Sequence, residues 1–423
     1  MTRQRLAVIG AGIAGLSAAW MLREAFEVTL YEAQPRAGGH ADTQSVTIEG
    51  QELAVDTGFI VCNDRNYPNL LGLFRSLGVA VQDTDMSFGV SIENGGLEYG
   101  GGTLGQLFAQ KLNLARPRFW SMVRDILRFY REAPALLEGS STESLGDYLD
   151  RNRYGRPFAE DHILPMGAAI WSASVEGMRA FPARHFVRFF SNHGLLKLTD
   201  RPQWGTVTGG SRSYVAKVLA DLGDVRLGRP VLGVRRVEGG VRVRDALGEE
   251  AFDHAVLACH ADESLAMLEN PTPAEESVLG AVRFQDNLAV LHTDASLMPR
   301  RRRVWSAWNY LSESTADHGR AVSLTYWMNS LQRLPVQTPV LVTLNPDRAP
   351  AAERTLLARQ YRHPQFDAAA MRAQEMLPGL QGEGGLWFAG AWTGWGFHED
   401  GIASAVRVAA QLGVVPPWGG GER

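Results

Sequence analysis

Residues 5–15 read RLAVIGAGIAG, Glu32 follows, and residues 36–40 read RAGGH. Each piece has one physical task. Arg5 to Ile9 reads as a buried strand. Gly10 permits a tight turn, Gly12 lets the backbone approach a pyrophosphate, and Gly15 lets the next helix pack close to the sheet. That helix, from about Ala14 to Glu24, turns its positive end, with the Ile13 and Ala14 amides, toward the phosphates. A second strand, Val28 to Tyr31, ends at Glu32, where an acid accepts hydrogen bonds from the ribose hydroxyls of an adenosine.

Strand, glycines, helix, strand and acid in this order distinguish the motif from a glycine-rich turn in some other unit. A second match, Gly100 to Gly105, follows a polar hairpin-like stretch around residues 93–96 and has no acid-ended strand after it. It reads as a loop before a helix. The uncharged run Leu6 to Leu22 is short for a membrane span, and its glycines follow a strand pattern.

At 423 residues, with 45% apolar and 21% charged side chains, the chain fits a soluble globular enzyme with core for two or three domains. A formal net charge of −4 offers nucleic acid no attracting field. Only Cys62 and Cys259 are present, with no metal-ligand spacing, so a metal site is not expected and a reducing cytoplasm is the default. No signal peptide is expected, because the first strand begins at once.

The segments alternate in pattern. Arg118 to Leu137 shows a helix with Arg124, Arg128 and Arg131 on one face. Val231 to Arg244 reads as a hairpin, and Ala255 to Cys259 as a buried strand. Strands are also expected over Ala321 to Trp327, Val340 to Leu344 and Leu386 to Ala389. A last helix runs from about Gly401 to Leu412, and the tail from Pro416 onward reads as loose.

Near the C-terminus stand WFAGAW (387–392) and GFHEDGIASA (396–405). With the N-terminal motif, they resemble the flavin-dependent amine oxidase and phytoene desaturase superfamily. The chain is more closely similar to bacterial NAD/FAD-binding proteins with a GFHEDG motif, a group that includes desaturases of methyl-branched phospholipid acyl chains. The VDTGF, WGTVTGGSR, WMN and LNP runs at 55, 204, 327 and 344 support the resemblance.

The resemblance implies an α/β fold: a Rossmann-type FAD-binding domain (1–60, 205–285, 380–423) with an inserted α+β substrate domain (61–204, 286–379). It implies FAD contacts from Gly10, Gly12, Ile13, Ala14, Gly15, Glu32, Ala33, Gly38, Gly39, Val231, Gly390, Ala391, Gly401 and Ile402. Two positions depart from the wider pattern. His40 stands where an arginine commonly closes the glycine doublet, and Ala391 where an acid often holds a ribityl hydroxyl. Asp56, with Thr57 and Gly58, or Asp400 is a candidate for part of that second role.

Amine oxidases of the superfamily usually place a lysine near flavin N5, and no lysine follows Lys217 here. Desaturation of an apolar, lipid-like substrate is therefore the leading expectation. Amine oxidation without the lysine and a non-catalytic lipid carrier are the alternatives. His398 is the first candidate base and Glu399 the second; the competing role for both is to hydrogen-bond the loop. Trp171, Tyr326 and Trp327 are candidates to line the substrate lobe, or to form plain core. Arg300 to Arg303 and the basic face at Arg124 to Arg131 suit either anionic headgroups, for a protein peripheral to the inner membrane face, or solvent.

Overall fold

The computed structural model describes residues 3–171, 173–197, 199–312 and 322–419. Three distant stretches of chain supply one parallel sheet. Its strand order is Asp224–Arg226, Glu27–Tyr31, Arg5–Ile9, His254–Leu257, Leu386–Phe388. Leu6, Ala7 and Val8 are fully buried, as a sheet covered on both faces demands. One cover is the helix Ile13–Leu22, all ten residues of which are buried. The run that resembles a membrane segment is thus a strand, a turn and a core helix packed against the last helix, His398–Gln411. No helix among the described residues is long and apolar enough to cross a membrane.

Between the strands Asp224–Arg226 and His254–Leu257 the chain makes an antiparallel meander: Gly233–Val237, Gly240–Asp245, Gly248–Phe252. A seven-stranded sheet forms the second layer system. Its order is Thr355–Pro364, Phe284–His292, Leu341–Leu344, Ser323–Trp327, Trp308–Ser312, Phe88–Ile92, Leu97–Gly100. Every pairing is antiparallel except Trp308–Ser312 with Phe88–Ile92. Helices Pro117–Glu132, Leu145–Arg151, Leu164–Trp171 and Ala183–Asn192 share its hydrophobic core. Ala321, expected to open a strand, lies outside the described residues; the strand runs from Ser323.

Two expectations are corrected. The last helix begins at His398, not near Gly401, because Asp400 accepts the Phe397 N–H at 2.9 Å and caps the first turn. His398, Glu399 and Asp400 are therefore helical. The tail, as far as it is described, is docked rather than loose. Trp418 stacks on Trp20 at 6.1 Å and donates to Asn69 Oδ1 at 3.1 Å. It presses so close to Gly72 that a Cβ there would lie 2.4 Å from the indole. Gly420 and Gly421 lie outside the described residues.

Candidate flavin site and active site

The site starts where the central strand ends. Gly10 turns the chain with φ of 101°, and a Cβ there would come 2.9 Å from the Ala258 carbonyl. At Gly15 a Cβ would sit 1.8 Å from the Gly10 carbonyl oxygen, so turn and helix touch backbone to backbone. Gly12 is different: a Cβ there meets nothing within 4 Å. No side chain caps the helix N-terminus at Gly12. Glu32 reaches back to this turn, its carboxylate accepting the Ala11 N–H at 2.7 Å and the Gln34 N–H at 2.8 Å. Ala33 beside it is exposed. The Gly38-Gly39 doublet lies on the same turn: the Gly38 N–H donates to the Ala11 carbonyl at 2.7 Å, and a Gly39 Cβ would lie 3.1 Å from Gly12 Cα.

The C-terminal motif arrives at the same place. A Cβ on Gly401 would meet Ile13 at 2.7 Å, and the Ala14 and Ala391 nitrogens at 3.7 Å. The Gly390 N–H donates to Ser404 Oγ at 2.9 Å, tying the FAG turn to the last helix. Ile402 is fully buried behind it. Val231 is buried with Ile9 and Tyr31 on the other flank of the sheet. An open space before an uncapped helix end, a carboxylate beside it and a glycine on each facing turn together fit a dinucleotide pyrophosphate and ribose.

Next to this cradle lies a polar interior. Gly58 is pressed against the His40 carbonyl, 2.2 Å from a would-be Cβ, and the Phe59 N–H donates to that carbonyl at 2.7 Å. The His40 ring stacks on Tyr361 at 5.0 Å and lies 5.3 Å from His363. Its Nε2 is buried with no protein partner. Burial, then the neighbouring His363, holds the His40 ring well below the ordinary imidazole range. Tyr361 donates to Asp42 at 2.9 Å and bonds Thr57 Oγ1 at 2.7 Å, and Asp42 pairs with Arg36 at 3.0 Å. Tyr361 and His363 were not singled out in the sequence. The only signal was their i, i+2 spacing on a strand, which sends both to one face.

Several expected site residues have other partners. The Asp56 carboxylate is spent within the protein: it accepts from Ser211 N–H and Oγ, Thr43 Oγ1 and Gln332 Nε2. It is a buried tie between three elements, not a free ribityl acceptor. Asp400 caps Phe397. Thr57 is committed to Tyr361. Glu399, almost fully buried, accepts from the Asn69 N–H and side-chain amide and from the Leu70 N–H, at 3.0, 2.8 and 2.9 Å. This arrangement caps the helix Pro68–Leu77 and corrects the assignment of Glu399 as a base. His398 stacks on Phe59 at 3.8 Å and shares a hydrogen bond with Tyr214 OH at 2.9 Å. Burial pulls its pKa down to about 3, so it is a neutral packed ring at neutral pH and a poor proton acceptor. Trp171 sits in core among Phe181, Phe186 and Phe189, with centroids 4.7–6.0 Å away. Tyr326 and Trp327 are half-buried. Burial pushes both cysteine thiols up to about 12, which keeps them unreactive.

Buried neutral histidines make the fold sensitive to acid. Burial lowers His398 to about 3 and His162, His292 and His363 to about 4, against an ordinary 6.5. Below 6.5 the unfolded chain binds protons that the folded chain refuses, so stability falls as pH drops from 6.5 toward 4. The raised carboxyls of Asp56 and Asp161 act in the opposite sense, starting from an ordinary 3.8. We expect the melting temperature to fall by roughly 5–10 °C between pH 7 and pH 5. A flat profile over that interval contradicts the neutral, buried assignment.

The profile of the flavin-containing amine oxidoreductase family matches residues 13–351. Over 79 residues the chain is 42% identical to the carotenoid phi-ring synthase of Chlorobaculum tepidum; this stretch is 18% of the chain and only 12% of that relative's length. Among solved structures, the CLA-producing fatty acid isomerase of P. acnes superposes with a TM-score of 0.69 at 15% identity, covering 97% of this chain and 99% of that one. Cyclohexylamine oxidase of Brevibacterium oxydans superposes with a TM-score of 0.70 at 16% identity, covering 97% and 100%. At such identities the superpositions speak for a shared two-domain α/β fold. The extent of the family match, over a cradle whose glycines, carboxylate and helix end suit a dinucleotide, makes this chain a member of the flavin-containing amine oxidoreductases, with FAD as its cofactor.

Proposed function

We propose that the chain oxidises a carbon–carbon bond of an apolar, lipid-like substrate such as a phospholipid acyl chain. The observation that carries this reading is the aromatic cluster adjoining the C-terminal motif, in which half-buried Trp395 and Phe397 pack on buried core. Phe397, one residue before the last helix, stacks on Phe189 at 5.0 Å and lies 5.9 Å from His193. Trp395 adjoins His185 at 5.6 Å. Apolar and aromatic side chains of this kind hold a hydrocarbon and exclude water. The absence of any lysine after Lys217 and the fatty acid isomerase among the structural neighbours agree with it.

Bound FAD supplies a hydride acceptor at N5. The protein's share is orientation, dryness and proton handling. Glu399 is committed to a cap and His398 to Tyr214; His40 Nε2, buried without a protein partner and held neutral, is open to a hydrogen bond from the flavin or substrate but accepts a proton no more readily than His398. Its neighbours Tyr361 and Asp42 fix the surroundings of the ring.

The family's own description favours a second reading, oxidation of an amine. One experiment separates the two. The anaerobic holoprotein is mixed with phospholipids bearing methyl-branched or unsaturated chains, or with primary and secondary amines, and the visible flavin absorption is followed. Bleaching by a lipid and not by amines is the expected result. Bleaching by an amine alone overturns the lipid reading.

A further inference from the structure

Five of the thirteen large apolar side chains exposed among the described residues fall between residues 104 and 127: Leu104 (75% exposed), Leu112 (57%), Leu114 (53%), Trp120 (46%) and Leu127 (49%). Single exposed leucines are ordinary, but a concentration of them on adjoining elements is not. Here the elements are locked together. Trp120 Nε1 donates to the Leu114 carbonyl at 3.0 Å, and the Trp120 ring lies 5.5 Å from Phe108. Trp120, Arg124, Leu127 and Arg131 follow at i, i+4, i+7 and i+11 along the helix Pro117–Glu132 and so form one stripe. The opposite face, with Phe119, Met122 and Phe129, is buried.

The charge of this face is opposite to that of the whole molecule. From Tyr99 to Arg124 the chain carries Lys111, Arg116, Arg118 and Arg124 and no acid, while its net charge is −4. The fold also brings the arginine run at 300–303 to the same place. Arg116 donates to the Gly96 carbonyl at 2.8 Å, and Arg300 packs against Gly95, 2.7 Å from a would-be Cβ. Some of these cations are spent: Arg301 on buried Glu98, Arg118 on Asp161, Arg124 on Asp125. No carboxylate among the described residues pairs with Lys111, Arg116, Arg300, Arg302 or Arg303. Arg302 instead lies over the rings of Trp305 and Trp327, at 3.6 and 4.7 Å.

We infer that this face docks on a bilayer containing anionic phospholipid. Exposed leucines and a tryptophan enter the headgroup boundary, and the unpaired cations meet lipid phosphates. The combination separates a bilayer from nucleic acid, which needs no apolar centre, and from a hydrophobic subunit contact, whose core is depleted of charge. The inference concerns this face and stands whichever substrate the enzyme takes.

The test uses the full-length holoprotein with vesicles of pure phosphatidylcholine or of equal phosphatidylcholine and phosphatidylglycerol. Sedimentation with the mixed vesicles at least about tenfold stronger than with the pure ones, and weakened by added salt, is expected. The double variant Leu112→Glu, Leu114→Glu is expected to lower that binding by about tenfold or more, with unchanged flavin absorption and melting temperature. Lys111→Glu with Arg300→Glu is expected to abolish the preference for the anionic vesicles. Equal or absent binding to the two vesicle types overturns the inference. So does wild-type binding by the leucine variant, or a wild-type oligomer in solution that the leucine variant converts to monomers, which would make a second copy the occupant.

Discussion

Gly12→Ala is expected to yield a folded chain that binds FAD on the order of 100-fold more weakly, whereas Gly15→Ala is expected to yield almost no folded chain. The two glycines lie three residues apart in one motif and differ in what surrounds them. At Gly12 the backbone has φ of −75° and ψ of −175°, extended values any residue adopts. A methyl group there meets no atom within 4 Å, so the protein alone accepts it. The space it enters is the one before the uncapped helix end, where the pyrophosphate must approach. Holding the phosphates back by a methyl radius forfeits about two charge-assisted hydrogen bonds at ~1.5 kcal/mol each, hence the hundredfold loss. At Gly15 the methyl would lie 1.8 Å from the Gly10 carbonyl oxygen and 3.3 Å from Ala258 Cβ. Backbone cannot swing aside as a side chain does, so strand and helix must separate. Flavin-to-protein ratio and thermal unfolding read the contrast. A Gly12→Ala protein that keeps full flavin affinity would remove the pyrophosphate from this turn.

The contrast also shows why this part of the fold was legible in the sequence. Close contact at the Cα dictates residue type, so Gly10, Gly15 and Gly58, pressed on backbone, and Gly401, pressed on the Ile13 side chain, announce themselves. Each would drive a Cβ to within 2.9 Å of a neighbouring atom. Glu32 was legible for a related reason, since a strand end beside a glycine turn leaves an acid one place to reach. The start of the last helix was also written locally. Asp400, three residues after Phe397, is an ordinary capping acid, a stronger start signal than the glycine that follows it. The order of the seven-stranded sheet was not legible. It joins Phe88–Ile92 to Trp308–Ser312 across more than half the chain, and strand patterning carries no address for such a partner. Nor could the arginine run be sorted into spent and unspent charges, because the acid that takes Arg301 is Glu98, buried two hundred residues earlier.

Replacing Glu399 separates a structural carboxylate from a chemical one. Its partners explain why reading it as a base was natural and why the structure departs from that. The helix Pro68–Leu77 opens with a proline, which has no N–H, followed by Asn69 and Leu70, whose N–H groups point out of the first turn. No side chain of that helix's own N-terminus caps them. Glu399, three hundred residues later in sequence, supplies one oxygen to Asn69 and the other to Leu70, and its charge also favours the positive helix end. Backbone amides carry no residue identity, so nothing in the Pro68–Leu77 segment foretold this partner. Glu399→Ala leaves three buried donors without an acceptor, a loss of about 3–5 kcal/mol in stability. Glu399→Gln keeps one acceptor but turns an NH₂ toward an N–H, and is expected to lose about half as much. Flavin reduction by substrate, measured per bound flavin in the fraction that folds, should change less than about threefold in the Gln variant, since no proton-transfer group is lost. Unchanged melting with reduction slowed a hundredfold would return Glu399 to the chemistry and leave the helix at residue 68 in need of another cap.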